Sequence, residues 1–173
     1  MKTTLLLFAF FFAALQTFAQ GKESLKTAWP EEYHWKTGSD QGNSSMHMTE
    51  MVPGNETIDR WTIIATTVVV QGKRHVPTDT AMAIMYRQAK ANAEKVRVTM
   101  VEKNDTAAHP YIIFKMEAPG FNDSPQPESQ LYYIIEGDEA TYTSFVAIKA
   151  AHLPGTFTDR WTKIFRESKL VRE

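Results

Sequence analysis

Residues 63–70 read IIATTVVV and residues 77–93 read PTDTAMAIMYRQAKANA, and the change of period between these two stretches decides the fold class. Ile63–Val70 is dense in β-branched residues, which pack well on a pleated surface and lose side-chain freedom in a helix, so it is expected to be a strand. In the second stretch Thr78 is the expected N-cap, with Asp79 placed favourably in the first turn. Met82, Met85, Ala89, Ala93 and Val96 then recur at spacings of three and four, which predicts an amphipathic helix over 78–95 with one buried face.

Beyond that helix the period returns to two. Val96, Val98 and Met100 alternate, and after a polar turn at Lys103–Ala108 so do Ile112, Phe114, Met116 and Ala118. Prolines, a glycine and small polar residues make 119–130 a long loop. Leu131–Glu136 and Ala140–Ala150, separated by Gly137-Asp138-Glu139, read as a hairpin. Before the opening stretch, a short strand at Trp35–Thr37 is followed by a loop at Gly38–Ser45 and a strand at Met46–Val52, closed by Pro53-Gly54-Asn55. At the far end Pro154-Gly155 breaks the chain, and Thr156 with Asp159 caps a last helix over 156–169 that buries Trp161, Ile164 and Phe165. Connections of hairpin length require antiparallel pairing. The expected fold is α+β: an antiparallel sheet of six to seven strands covered by two helices, over residues 35–173, after an arm at 20–34. Asp-Arg-Trp-Thr occurs at Asp59–Thr62 and again at Asp159–Thr162, but the first copy enters a strand and the second a helix, so it is not a repeat.

The N-terminus reads as a secretory signal peptide over residues 1–19. Lys2 supplies the charge, Leu5–Leu15 the apolar run, and Thr17-Phe18-Ala19 a small-x-small cleavage site. The expected location is therefore the periplasm or the exterior. The chain has no cysteine, which excludes disulfides, thiol catalysis and cysteine-ligated metal, and leaves the core to supply stability. Nineteen Lys and Arg stand against twenty Asp and Glu, with no polybasic run long enough to seek nucleic acid or anionic lipid. Four Asn-x-Ser/Thr triplets, at Asn43, Asn55, Asn104 and Asn122, lie in turn-rich stretches whose composition generates the pattern.

The run Glu50-Met51-Val52-Pro53, then Glu56-Thr57, then Trp61-Thr62 leading into the Thr/Val-rich strand, resembles a Val-Pro-x-x-Glu-Thr-x-x-x-Trp-Thr stretch of small exported bacterial proteins of unknown function. Those proteins belong to the PsbP-like α/β/α sandwich group. The turn at Gly137-Asp138, Tyr142 on the following strand and a closing helix with an internal tryptophan are similar to the rest of that pattern, so the likeness spans Trp35 to Val171. Members with a cysteine pair in mid-chain differ from this chain. The resemblance implies a fold and an exported, non-enzymatic role, and it transfers no catalytic residue.

Chemistry is sparse. The five histidines, at 34, 47, 75, 109 and 152, show no ligand spacing, so no metal or other cofactor is expected. Glu31, Glu32, Glu56, Asp123, Glu128 and Asp138 fall in predicted loops or the arm, and no Gly-x-Ser-x-Gly elbow or glycine-rich phosphate loop is present. Two features stand outside the segments claimed by the core. Lys73, Arg74 and His75 precede a helix start, where free N–H groups favour an anion. Phe121 is an aromatic anchor within the long loop. The expectation is a non-catalytic binding or accessory module whose partner is another envelope or secreted protein or a small anionic ligand. An enzyme with a spatially assembled site and an inhibitor or immunity-type protein are the competing readings. A deep pocket with two carboxylates or a His–carboxylate pair would favour the enzyme, and an exposed apolar patch near Phe121 without a pocket would favour the inhibitor.

Overall fold

The computed structural model describes residues 22–72, 76–93, 95–122 and 126–173. Seven strands form one antiparallel sheet: β2 (Lys36–Gly42), β3 (Met46–Val52), β4 (Ile63–Gln71), β5 (Arg97–Asn104), β6 (Tyr111–Ala118), β7 (Glu128–Glu136) and β8 (Ala140–Ile148), in the order β2-β3-β4-β8-β7-β6-β5. Helix α1 (Thr78–Asn92) carries the chain from β4 to the far edge. The meander β5 to β8 then returns and pairs β8 with β4 along their whole length, Ile63 opposite Ile148 through Gln71 opposite Ala140. Helix α2 (Gly155–Arg166) follows, and β1 (Glu23–Lys26) pairs with β9 (Lys169–Arg172) in a separate two-stranded clasp.

Strand alternation puts successive side chains on opposite faces, and the two helices take one face each. Ile113, Leu131, Tyr133, Ile135, Tyr142 and Val146 point to the α2 side with Trp161 and Phe165, whereas Ile112, Phe114, Met116, Tyr132 and Ile134 point to the α1 side with Met82, Met85 and Ala89. Three layers result, helix, sheet, helix. The α2 layer is completed by the N-terminal segment: Trp29, Tyr33 and Trp35 pack around Trp161, with ring centroids 6.0, 6.1 and 6.5 Å from it.

The α+β expectation holds, with seven strands and two helices. Met82, Met85, Trp161 and Phe165 all contact the sheet side as read from periodicity. Ile63–Val70 and Ala140–Ala150 sit at the centre, while the strand read at Ile112–Ala118 lies one place from the edge. Several local readings are corrected. Residues 23–26, read as part of an arm, form β1, because β9 supplies the hydrogen-bond partners that a polar tetrapeptide lacks by itself. The loop read at Gly38–Ser45 is mostly strand, since β2 runs to Gly42 against β3. The helices begin one residue earlier at α2 and end sooner than read, and their caps are Pro77 and Pro154 rather than Thr78 and Thr156. A proline with φ near −50 to −60° sets the turn into each helix without a side-chain cap. The two Asp-Arg-Trp-Thr copies lie before β4 and inside α2, so they share no structure.

Candidate functional site

A cleft of about 800 Å³ lies on the α2 side of the sheet, between β1 and the β3–β4 end that α2 does not cover. Its floor is a row of side chains across three strands: His47 opposite Val69, and Val69 opposite Tyr142. Leu25 walls it from the clasp side, and Thr67, Gln71 and Asn43 give neutral polar groups around it.

The clasp is fastened at Glu23, which is buried although charged in water. Its carboxylate accepts hydrogen bonds from the backbone N–H of Asp138 (2.9 Å) and of Glu139 (3.2 Å) in the β7–β8 turn. Tyr142 Oη donates to the Glu23 carbonyl at 2.9 Å and lies 3.3 Å from its Oε1. Burial, reinforced by the Glu23 charge, pushes the Tyr142 phenol up, so it stays a donor. Gly137 leaves room for this arrangement, since a Cβ there would stand 2.2 Å from Glu23 Oε1. Arg172 of β9 adds ion pairs to Glu139 (2.5 Å) and Asp138 (3.1 Å). The Glu139 carboxyl is held below its usual range by the Glu23 N–H and by Arg172. Glu23 thus ties β1 to the β7–β8 turn through both carboxylate oxygens.

At the rim His47 Nε2 contacts Asp40 Oδ1 across the β2–β3 hairpin. Gly42 makes this geometry accessible, because a Cβ there would sit 2.6 Å from His47 Cδ2. The turn below is held by Asn43, whose Oδ1 accepts from the N–H groups of Ser45 (2.8 Å) and Met46 (3.0 Å).

A second buried carboxylate, Glu117, sits at a smaller cleft of about 570 Å³ near the approach to α2. It accepts from Leu153 N–H at 2.9 Å and from Arg97 Nη2 at 2.8 Å. Desolvation would raise its pKa, but the Leu153 N–H, Arg97 and the nearby Lys115 outweigh that and hold it below the usual carboxylate range. The residues of the resemblance motif close the β3–β4 loop. Glu56 accepts from Thr62 N–H and Oγ1, both at 2.6 Å, and Lys149 Nζ lies 3.7 Å above the Trp61 ring.

Lys73, Arg74 and His75 lie outside the described residues, although Gln71, just before them, lines the main cleft. Phe121 is half-buried, and Asn122 beside it is tied to the end of α1 by N–H donation to the Asn92 carbonyl at 2.8 Å. Among the described residues the exposed large apolar ones are Met46, Val70, Ile84, Tyr86, Met100 and Val101, none beside Phe121 in sequence. Sequence reasoning missed Glu23, Leu25, His47 and Val69, which lie in four-residue or alternating segments without a local motif. The one available signal was the alternation of Met46–Val52, which sets His47, Thr49 and Met51 on one face. Among the described residues no group of three His, Asp or Glu is arranged to hold a metal ion, and no helix is long and apolar enough to cross a membrane.

No protein-family model matches the chain, and no curated protein matches it. Architecture alone defines its class: a three-layer α+β domain with an antiparallel sheet, a separate two-stranded clasp and a cleft beside it.

Proposed function

We propose that the protein is an exported, non-catalytic binding or accessory module of the PsbP-like α/β/α sandwich type, and that the cleft beside the clasp is its binding site. One observation carries this reading: a cleft of the size used for ligand recognition is floored by Val69 and Tyr142 with Thr67, Gln71 and Asn43 around it, while its buried carboxylate holds the β7–β8 turn. A site made for acid–base work keeps such a group available to a substrate. The signal sequence and the motif resemblance support the exported role.

The test is recovery of partners from the native envelope fraction by the tagged chain, compared with Val69→Glu, which places a charge on the cleft floor. The expected result is a partner or ligand retained by the wild type and lost by the variant, with folding unchanged by circular dichroism. Equal retention by both would remove the cleft from consideration. The enzyme reading retains one specific support, the oriented His47–Asp40 pair at the rim. It requires hydrolytic or isomerising turnover that His47→Ala abolishes.

A further inference from the structure

We propose that the occupant of this cleft is an extended polypeptide segment that adds to β1 as a third strand of the terminal clasp; the proposal rests on the binding-module reading of the same cleft. It starts from hydrogen-bond alternation. Lys22 and Glu173 exchange both backbone bonds, Lys22 N–H to the Glu173 carbonyl at 2.8 Å and Glu173 N–H to the Lys22 carbonyl at 3.3 Å. In an antiparallel pair such exchanges occur at every second residue, so Ser24 and Lys26 also face β9 while Glu23 and Leu25 turn their N–H and C=O groups to the opposite edge.

At Glu23 that outward pair is occupied within the fold. Its N–H donates to Glu139 Oε2 at 3.3 Å and its carbonyl accepts from Tyr142 Oη at 2.9 Å. These two bonds confirm the alternation independently. At Leu25 the outward N–H and C=O meet no such partner among the described residues, and Leu25 lines the cleft. The edge of β1 is thus blocked at one end and open at the other, and the open end faces an 800 Å³ space.

The layer geometry fits a strand in that space. The clasp lies over the α2 face of the sheet, with Tyr142 of β8 directly beneath Glu23. A strand added about 4.8 Å further along the hydrogen-bonding direction would lie above β4 and β3, over Val69, Thr67 and His47, where α2 gives no cover. Backbone bonds to Leu25 would supply the affinity common to any extended chain, and the floor at Val69 and Leu25 favours an apolar side chain on the inward-pointing residue. Ser24 Oγ, buried and without a partner among the described residues, offers one more donor at the wall. A small compact ligand would leave the Leu25 backbone pair unmatched.

The experiment uses a library of random linear dodecapeptides displayed on phage and panned against the purified chain. The enriched sequence is then made as a synthetic peptide and measured by fluorescence anisotropy. Expected are enrichment of peptides with alternating apolar residues, slowed amide exchange at Leu25 on binding, and a loss of at least tenfold in affinity when one central peptide amide is N-methylated or when the protein carries Val69→Glu. Failure to enrich any peptide, unchanged exchange at Leu25, or insensitivity of every single N-methylation overturns strand addition. If a non-peptide ligand from the envelope still binds and Val69→Glu removes it, the cleft reading stands and only strand addition falls. If Val69→Glu affects neither peptide nor envelope ligand, both fall.

Discussion

The two helices cover the same sheet from opposite sides, yet α2 is sealed and α1 is not. In α2, Trp161 and Phe165 are wholly buried, whereas in α1 the contact residues Met82, Met85 and Ala89 are half-buried and only Thr78 is buried. The difference comes from the third partner. Trp29, Tyr33 and Trp35 close over α2 from the N-terminal segment, and Phe165 stacks on Tyr133 at 5.5 Å, while the apolar stripe of α1 packs on the sheet with no such aromatic cover among the described residues. A helix laid on a sheet buries one stripe, and depth beyond that stripe requires another element. The cleft therefore opens on the more deeply packed of the two faces.

The sharpest way to break this comparison is Phe165→Ala. A fully buried aromatic lost from a packed layer costs about 3–5 kcal/mol, and chemical denaturation should show that loss in full. An unchanged midpoint would mean that α2 does not dock as described. Next in size is Glu117→Ala, which leaves the Leu153 N–H before α2 without its acceptor, at a cost of about 1–3 kcal/mol at neutral pH. Because the folded-state pKa of Glu117 is depressed, its stabilisation is complete above the unfolded value of about 4.3 and fades as pH falls through the lower folded value. The wild type and variant should therefore converge in acid, and a gap that stays constant from pH 7 into acid would contradict the assignment. The smallest effect is expected on the other side, where Met85→Ala removes a half-buried side chain and should cost roughly 1 kcal/mol, below the range for full burial. A loss equal to that of Phe165→Ala would erase the distinction between the two faces.

The sequence carried the elements whose burial is periodic. Ile63–Val70 and the helix over Met82, Met85 and Ala89 were legible because core contact leaves a period of two or of three to four in the chain. Lys36–Gly42 left no such trace: it is a polar edge strand, largely exposed, and its identity comes from pairing with β3. The clasp was illegible for a related reason, since Glu23–Lys26 and Lys169–Arg172 are made strands by each other across the length of the chain. The same applies to the cleft. His47, Val69, Tyr142 and Leu25 come from four strands, and no spacing within any one of them reports that they meet. Glu23 looked like one acid among several in a polar lead-in, and only the β7–β8 turn above Gly137 gives it a task.

The pairing of β1 with β9 also fixes an order of events. A chain made from its N-terminus folds its early segments first, but Glu23–Lys26 has no partner until Lys169–Arg172 has emerged. The clasp therefore forms after the segments between its two strands have been made. One wall of the cleft is β1, and β1 stands only when β9 is present. Removing Lys169–Arg172 would leave Glu23–Lys26 without its strand partner and so take away the wall that β1 gives the cleft.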